Sequence, residues 1–421
     1  MRRRNGRGDA VGDADVVVVG AGAAGLSLAR RLAATRGPGG RVPSIVVVEP
    51  PPGAATSPPR TWCFWERAAG DLDAFVSASW ERLCVRDPGG RTLTGTTPYP
   101  YRMIRSADYL PAVARELASA AHVRRLTGTV TRVAELPCGG RVTGVDAHGA
   151  AFAVEGRWVF DSRPPRRLPP ARTTLFQHFR GWFVETAADR FEPGVAELMD
   201  FRTPQPARGL SFAYVLPFSK RRALVEYTEF SPRPSDRAAH ERALDHYTRH
   251  IRPLGAFTVT AAEQGAIPMT DAQLSRGQGA SVFAIGTAGG ATRPATGYTF
   301  ATVQRQSAAI ADAWRRGHRP VPPRPHKRRH LAMDAAWLRA LDRGRIDGPA
   351  FFTGLFAHNP LPRVLRFLDG ASTPAEDIAL GLRCPAGAMA LSLLELPLLP
   401  RRSTPLAPAG ARTGPSEKSV P

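Results

Sequence analysis

One carboxylate stands apart in the stretch ALVEYTEF, Ala223 to Phe230. Read as a β-strand, its side chains alternate: Leu224, Glu226, Thr228 and Phe230 share one face, and Ala223, Val225, Tyr227 and Glu229 share the other. Glu226 therefore sits in the middle of a mostly apolar row. A carboxyl in such a row meets water, meets a partner such as an arginine at a sheet edge, or stays protonated because ionising in a dry site is costly. Only the last state leaves an acid able to do chemistry. A second constellation lies near the start, in VVVVGAGAAGLSLARRL, where Gly20, Gly22 and Gly25 form a GxGxxG directly after an apolar run and ahead of a helical pattern. Gly20 permits a tight turn, Gly22 lets backbone amides approach a pyrophosphate at the positive helix end, and Gly25 allows helix and sheet to pack closely. Glu49, at the end of the next apolar run, is placed to accept hydrogen bonds from an adenosine ribose and to repel a 2′-phosphate, which suits FAD or NAD.

The elements that must position these residues follow from periodicity. A strand over Asp15 to Val19, a helix over Ala23 to Ala34 and a strand over Ile45 to Glu49 make a βαβ unit. Alternating strands follow at Thr173 to Glu185, Leu210 to Phe218 and Arg222 to Phe230, the last two joined by the polar turn Ser219-Lys220-Arg221 as an antiparallel hairpin. A further strand, Ser281 to Ile285, precedes a helical, arginine-rich region from about Thr302, and Pro320 to Pro325 reads as a linker into a C-terminal helical part. The expected boundaries are a discontinuous nucleotide-binding domain over 14–165 and 262–318, an antiparallel-sheet domain over 166–261, helices over 319–400, and disordered tails at 1–13 and 401–421.

Composition narrows the function classes. With 421 residues and 43% hydrophobic content the chain buries a sizeable core spread over two or three domains. Its net charge of +21 comes mainly from arginine and accompanies abundant alanine, glycine and proline. That pattern is a compositional bias of solvated surfaces, and no basic-aromatic interleave or DNA-reading motif points to nucleic acid. Attraction to anionic lipid headgroups remains open. The four cysteines, Cys63, Cys84, Cys138 and Cys384, show no metal-ligand spacing, and a reduced, cytoplasmic chain accounts for them. No export signal is read at the N-terminus. The longest apolar run, Pro385 to Pro400, contains Glu395 and is shorter than the roughly 20 residues that span a bilayer.

Later in the chain, VFAIGTAGGATRPATGYTF (Val282 to Phe300) resembles the strand, loop and helix that carries glycines past the flavin in FAD proteins of the p-hydroxybenzoate hydroxylase type. Gly286, Gly289 and Gly290 would let backbone come close to the ribityl and pyrophosphate, and Pro294 and Gly297 would shape the loop. Those hydroxylases usually carry an aspartate where this chain has Thr287. Arg105, in YRMIRSADYL, resembles an arginine that such proteins place near the flavin; a solvated arginine is the alternative.

The chain as a whole resembles the bacterial lycopene β-cyclases. The resemblance rests on the dinucleotide motif, RTWCFWE (Arg60 to Glu66), YRMIRSADY, FDSRPP (Phe160 to Pro165), FQHFRGW (Phe176 to Trp182), MDFR (Met199 to Arg202), FAYVLPFS, LVEYTEFS, AIPMT (Ala266 to Thr270), GTAGGATRPATGYTF and FLDG (Phe367 to Gly370), in order along the chain. Thr287 is what that family's loop tends to show. The resemblance implies an α/β fold, with a Rossmann-type FAD-binding domain akin to p-hydroxybenzoate hydroxylase and glutathione reductase, an antiparallel β-sheet substrate domain and a C-terminal helical part. It implies non-redox cyclisation of lycopene ends to β-ionone rings, with reduced FAD stabilising a carbocation and NAD(P)H serving only as electron source. The family's FxExT motif falls on Leu224 to Thr228, with Leu224 in place of Phe, and makes Glu226 the acid-base residue. The chemistry agrees, because an isolated alkene is a poor base and needs a dry, protonated carboxyl to protonate it.

Holding a carbocation away from water calls for aromatic faces. Trp62, Phe64, Trp65, Phe179, Trp182 and Tyr214 are the candidates, and core packing is expected to claim several of them. A water-insoluble polyene must come from a bilayer, so the protein is expected at the membrane surface from the cytoplasmic side. The segment Ala388 to Leu399 serves either as its peripheral contact or as a buried helix. The competing activity is a flavin-dependent monooxygenase or prenyl reductase acting on an isoprenoid lipid.

Overall fold

In the computed structural model, residues 11–51, 58–66, 70–277 and 279–406 are described; residues 1–10 and 407–421, the greater part of the expected tails, lie outside them. Four consecutive valines, Val16 to Val19, are all buried, as a parallel strand covered on both faces requires. They end strand β1 (Val11–Val19), which turns into helix α1 (Ala23–Ala33) and returns as β2 (Ile45–Glu49), parallel to β1. The chain leaves this sheet for β3 (Thr61–Trp65), β4 (Ala78–Arg86) and β5 (Thr92–Arg105), then comes back through α2 (Ser106–Ala118) to β6 (Val123–Leu136), β7 (Gly139–Asp146) and β8 (Ala151–Asp161). A second excursion carries β9 (Thr174–Thr186), β10 (Val195–Asp200), β11 (Leu210–Pro217), β12 (Arg222–Ser231), α3 (Arg237–His246) and β13 (Phe257–Thr270). Strand β14 (Val282–Ala284) and α4 (Phe300–Arg315) complete the first domain. Helices α5 (Arg328–Asp342), α6 (Gly348–His358), α7 (Leu361–Leu368), α8 (Pro374–Gly381) and α9 (Ala386–Glu395) follow.

In the first domain β6, β2, β1, β8 and β14 run parallel, and β7 pairs antiparallel with the far ends of β6 and β8. The two sides of β1 face different cores. Val16 and Val18 pack with Leu26, Leu28, Tyr109 and Ile310 from α1, α2 and α4, whereas Val17 and Val19 pack with Val142, Phe152 and Val154 of the antiparallel layer. The second domain is an eight-stranded sheet in the order β13-β9-β12-β11-β10-β4-β5-β3. Helix α3 covers one face through Leu244 against Val225 and Tyr227. The C-terminal helices cover part of the other, where Trp337 of α5 packs against Phe230.

The nucleotide-binding domain is therefore less continuous than the expected 14–165 and 262–318. Strands β3 to β5 hydrogen-bond into the second sheet, and β13 keeps pairing with β9 through Thr270, so residues 262–270 belong there as well. At the other end, Arg402 and Pro405, expected in a disordered tail, bridge to Ala171 and Arg167.

Candidate active site

Glu226 lies in a row that crosses four adjacent strands. Tyr214 of β11 pairs with Glu226 of β12, Glu226 with Gly181 of β9, and Gly181 with Glu263 of β13. Directly paired residues point to the same face, so two carboxyls flank a glycine. Their α-carbons are about 10 Å apart, two strand spacings. Leu224 and both carboxyl side chains close over Gly181: a Cβ added there would sit 2.7 Å from Leu224 Cδ1, 3.3 Å from Glu263 Cγ and 3.4 Å from Glu226 Cβ.

The two carboxyls differ in surroundings. Glu226 is only 7% exposed, and the Thr228 hydroxyl donates to its Oε1 at 2.8 Å. Burial, with the Glu263 carboxyl adding to it, pushes the Glu226 pKa well above the carboxylate range, which favours the protonated form. Glu263 is also buried, but Thr61 Oγ1 donates to it at 2.8 Å, and the guanidinium groups of Arg105 and Arg60 favour its charged form. Burial raises its pKa to about 7. The dry-acid reading of Glu226 is thus the one that the geometry supports. Glu263 is absent from the sequence-derived candidates.

The walls are aromatic. The Tyr214 hydroxyl is 2.8 Å from that of Tyr101; Trp65 lies edge-on to Tyr298 at 4.9 Å and tilted over Tyr101 at 5.7 Å. Strand β3 carries three of the six aromatic candidates and divides them by its alternation. Thr61, Cys63 and Trp65 face this site, and burial pushes the Cys63 thiol up to about 12, leaving it neutral. Trp62 and Phe64 point the other way, against Phe300 at 5.1 and 5.4 Å in the core of the first domain. Phe179 shares the Gly181 face, where it lies across Gly265. Trp182 falls on the opposite face, tilted against Phe257 at 6.4 Å. Arg105 ends β5, its guanidinium 5.1 Å from the centre of the Phe183 ring. Two cavities, of about 570 and 860 Å³, lie away from Glu226 and are lined by charged side chains such as Glu241, Arg242, Arg82 and Glu197.

The glycines of the two nucleotide motifs converge. Gly20 has φ of +98°, and a Cβ on Gly25 would sit 1.8 Å from the Gly20 carbonyl oxygen, so α1 approaches β1 as closely as backbone permits. Gly22 is the N-cap of α1 and no side chain caps the helix, which leaves its first amides available to an anion. Glu49 closes β2, and Arg125 pairs with it at 2.6 Å. In the later loop Gly286 (φ +64°) abuts the first turn of α1, since a Cβ there would lie 2.7 Å from Ala24 Cβ. A Cβ on Gly289 would lie 2.3 Å from the Ala284 carbonyl oxygen, and Gly290 also has positive φ. Past Pro294 the loop reaches Gly297, where a Cβ would meet Gln177 Oε1 at 2.2 Å. Gln177 shares a face of β9 with Gly181. One loop thus runs from the α1 N-terminus to the sheet that carries Glu226, and a buried ion pair, Arg293 with Asp334 of α5 at 3.1 Å, ties it to the C-terminal helices.

No curated protein sequence matches this chain. Among solved structures it is similar to a flavoprotein/dehydrogenase from Cytophaga hutchinsonii (15% identity, TM-score 0.63, covering 91% of this chain and 99% of that one). It is also similar to a geranylgeranyl bacteriochlorophyll reductase-like protein from Thermoplasma acidophilum (12% identity, TM-score 0.55, 91% and 99%). A third likeness is to the flavin-dependent monooxygenase PieE, solved with FAD and substrate (13% identity, TM-score 0.55, 92% and 72%). At these identities the likeness establishes the fold, an α/β flavoprotein architecture with a second sheet. The family model described as lycopene cyclase protein matches residues 15–394, and the chain belongs to that family.

Proposed function

We propose that this protein is a flavin-dependent carotenoid cyclase that converts the acyclic ends of lycopene to β-ionone rings, giving γ-carotene, β-carotene or both. The observation that carries the reading is Glu226, a buried carboxyl whose proton is favoured by its dry surroundings, on the sheet that the glycine loop reaches through Tyr298 and Gly297. The Glu226 O–H adds its proton to the terminal alkene. Tyr214, Tyr101 and Trp65 present aromatic faces to the resulting cation and exclude the water that would trap it.

FAD fits the paired glycine elements. Gly20, Gly22, Gly25 and Glu49 would hold its adenosine and pyrophosphate, and Gly286, Gly289, Gly290, Pro294 and Gly297 would border the rest. When bound in its reduced form, FAD supplies negative charge that favours a cation nearby, with NAD(P)H needed only to keep it reduced.

The polyene would enter from a membrane. Helices α8 and α9 meet at a bend of 113°, and no single helix among the described residues is long and apolar enough to cross a bilayer. Ile378, Leu382, Leu391, Leu393, Leu394 and Leu398 are exposed along the pair, whereas within α9 only Ser392 is buried. Such a surface favours peripheral contact over the buried-helix alternative, on the cytoplasmic side of the membrane.

The test is expression in cells that accumulate lycopene, with chromatography and mass measurement of the pigments. Wild type is expected to give cyclic isomers of unchanged mass. Glu226→Gln should keep its protein level and FAD yet lose at least about 100-fold in cyclisation. A product of altered mass would favour the monooxygenase or reductase alternative, and full activity in Glu226→Gln would overturn the acid-base assignment.

A further inference from the structure

We propose that Glu263 is the base of the same reaction, receiving the proton that the cyclised end group gives up, so that acid and base are two carboxyls facing each other across Gly181. This rests on the cyclase reading above. Three observations point to it. Both side chains converge beside Gly181, the one position in the row without a side chain, where Leu224 Cδ1 also packs, so an end group lying over this row would reach both carboxyls. Their partners are opposite in kind: Glu226 receives only a neutral hydroxyl, whereas Glu263 has the Thr61 hydroxyl and faces Arg105 and Arg60. And the surroundings drive their proton affinities apart, the arrangement that assigns one carboxyl as acid and the other as base.

The step balances. The O–H bond of Glu226 breaks and a C–H bond forms at the terminal alkene, leaving its other carbon cationic. The π pair of the internal alkene closes the ring and moves the positive charge into it. A neighbouring ring C–H then breaks, its electrons form the ring double bond, and its proton goes to the Glu263 carboxylate. As product leaves, Glu263 releases a proton to water and Glu226 regains one. Besides Glu226, the charged and titratable groups around Glu263 are Arg60 and Cys63 at β3, Arg105 at the end of β5, and Tyr214 beyond Glu226. With the Glu263 pKa raised to about 7, the rate should rise with pH through that value as the base ionises.

The experiment compares holoenzyme of wild type, Glu263→Gln, Glu263→Asp and Glu226→Gln on lycopene in detergent micelles between pH 5 and 9, with infrared spectra of the carboxyl groups over the same range. Expected are a wild-type rate that falls below pH 7, at least a tenfold loss in Glu263→Gln together with loss of that acid limb, and partial rescue by Glu263→Asp. Glu263→Gln should also divert product toward other double-bond positions or hydrated rings. In the infrared, a neutral-carboxyl band that vanishes in Glu226→Gln should outlast, as pH rises, a second that disappears near pH 7 and is absent from Glu263→Gln. A Glu263→Gln variant with the wild-type rate, pH profile and products overturns the inference while leaving the cyclase reading intact. A wild type that forms no cyclic isomer overturns the cyclase reading and this inference with it, while the infrared titration still reports whether the two carboxyls differ.

Discussion

Replacing Glu263 by Gln should change the pH dependence of stability in a direction that the geometry dictates. Burial raises the Glu263 pKa from 4.5 to about 7 in the folded protein. Between those values the folded state holds a proton that the unfolded chain has released. The unfolded state therefore binds fewer protons, and stability falls as pH rises through this window. At about 1.4 kcal/mol for each tenfold change in proton affinity, the loss is on the order of 2–3 kcal/mol between pH 4.5 and 7 and levels off about one pH unit above 7. Gln keeps the carbonyl oxygen that accepts from Thr61 but has no proton to lose. Urea unfolding of both proteins at intervals from pH 5 to pH 8 should show Glu263→Gln gaining on wild type by about that amount as pH rises. A difference independent of pH, or one that shrinks as pH rises, would refute the assignment of Glu263 as a buried carboxyl that ionises near neutrality.

Other consequences are more local. Gly25→Ala puts a Cβ 1.8 Å from the Gly20 carbonyl oxygen, so the purified protein should carry less FAD by absorbance and lose about 1–3 kcal/mol of stability. Asp334→Ala leaves Arg293 buried without its partner, at a cost of about 3–5 kcal/mol in denaturant unfolding. Leu382→Ser combined with Leu394→Ser acts on highly exposed side chains; liposome co-sedimentation should drop while the melting temperature holds.

The βαβ unit was legible because each of its signals is local. The valine runs, the three glycines and Glu49 occupy the expected strands and helix to within a few residues. The hairpin around Ser219 was equally plain, since β11 and β12 alternate and pair with each other in unbroken register. Glu263 was not legible. It joins Glu226 only through β9, a partner far away in sequence, and its own face of β13 reads Ala261, Glu263, Gly265, Ile267, without an apolar row to mark a strand. A register shift between Val259 and Ala261 breaks the alternation just before it. Its only local signal was a carboxylate between small residues ahead of the family stretch AIPMT. Strand β3 failed differently. TWCFW is plainly a strand former, but which sheet it joins, and hence which of Trp62, Phe64 and Trp65 reach Glu226, depends on its pairing with β5.

The central claim is that Glu226 gives a proton to a hydrocarbon, and isotope labelling tests it most directly. Holoenzyme equilibrated in D₂O and given lycopene for a single turnover should yield a cyclic isomer with one deuterium in each new ring, and Glu226→Gln should yield none. Rings formed without deuterium, or product made only in proportion to NAD(P)H consumed, would contradict it.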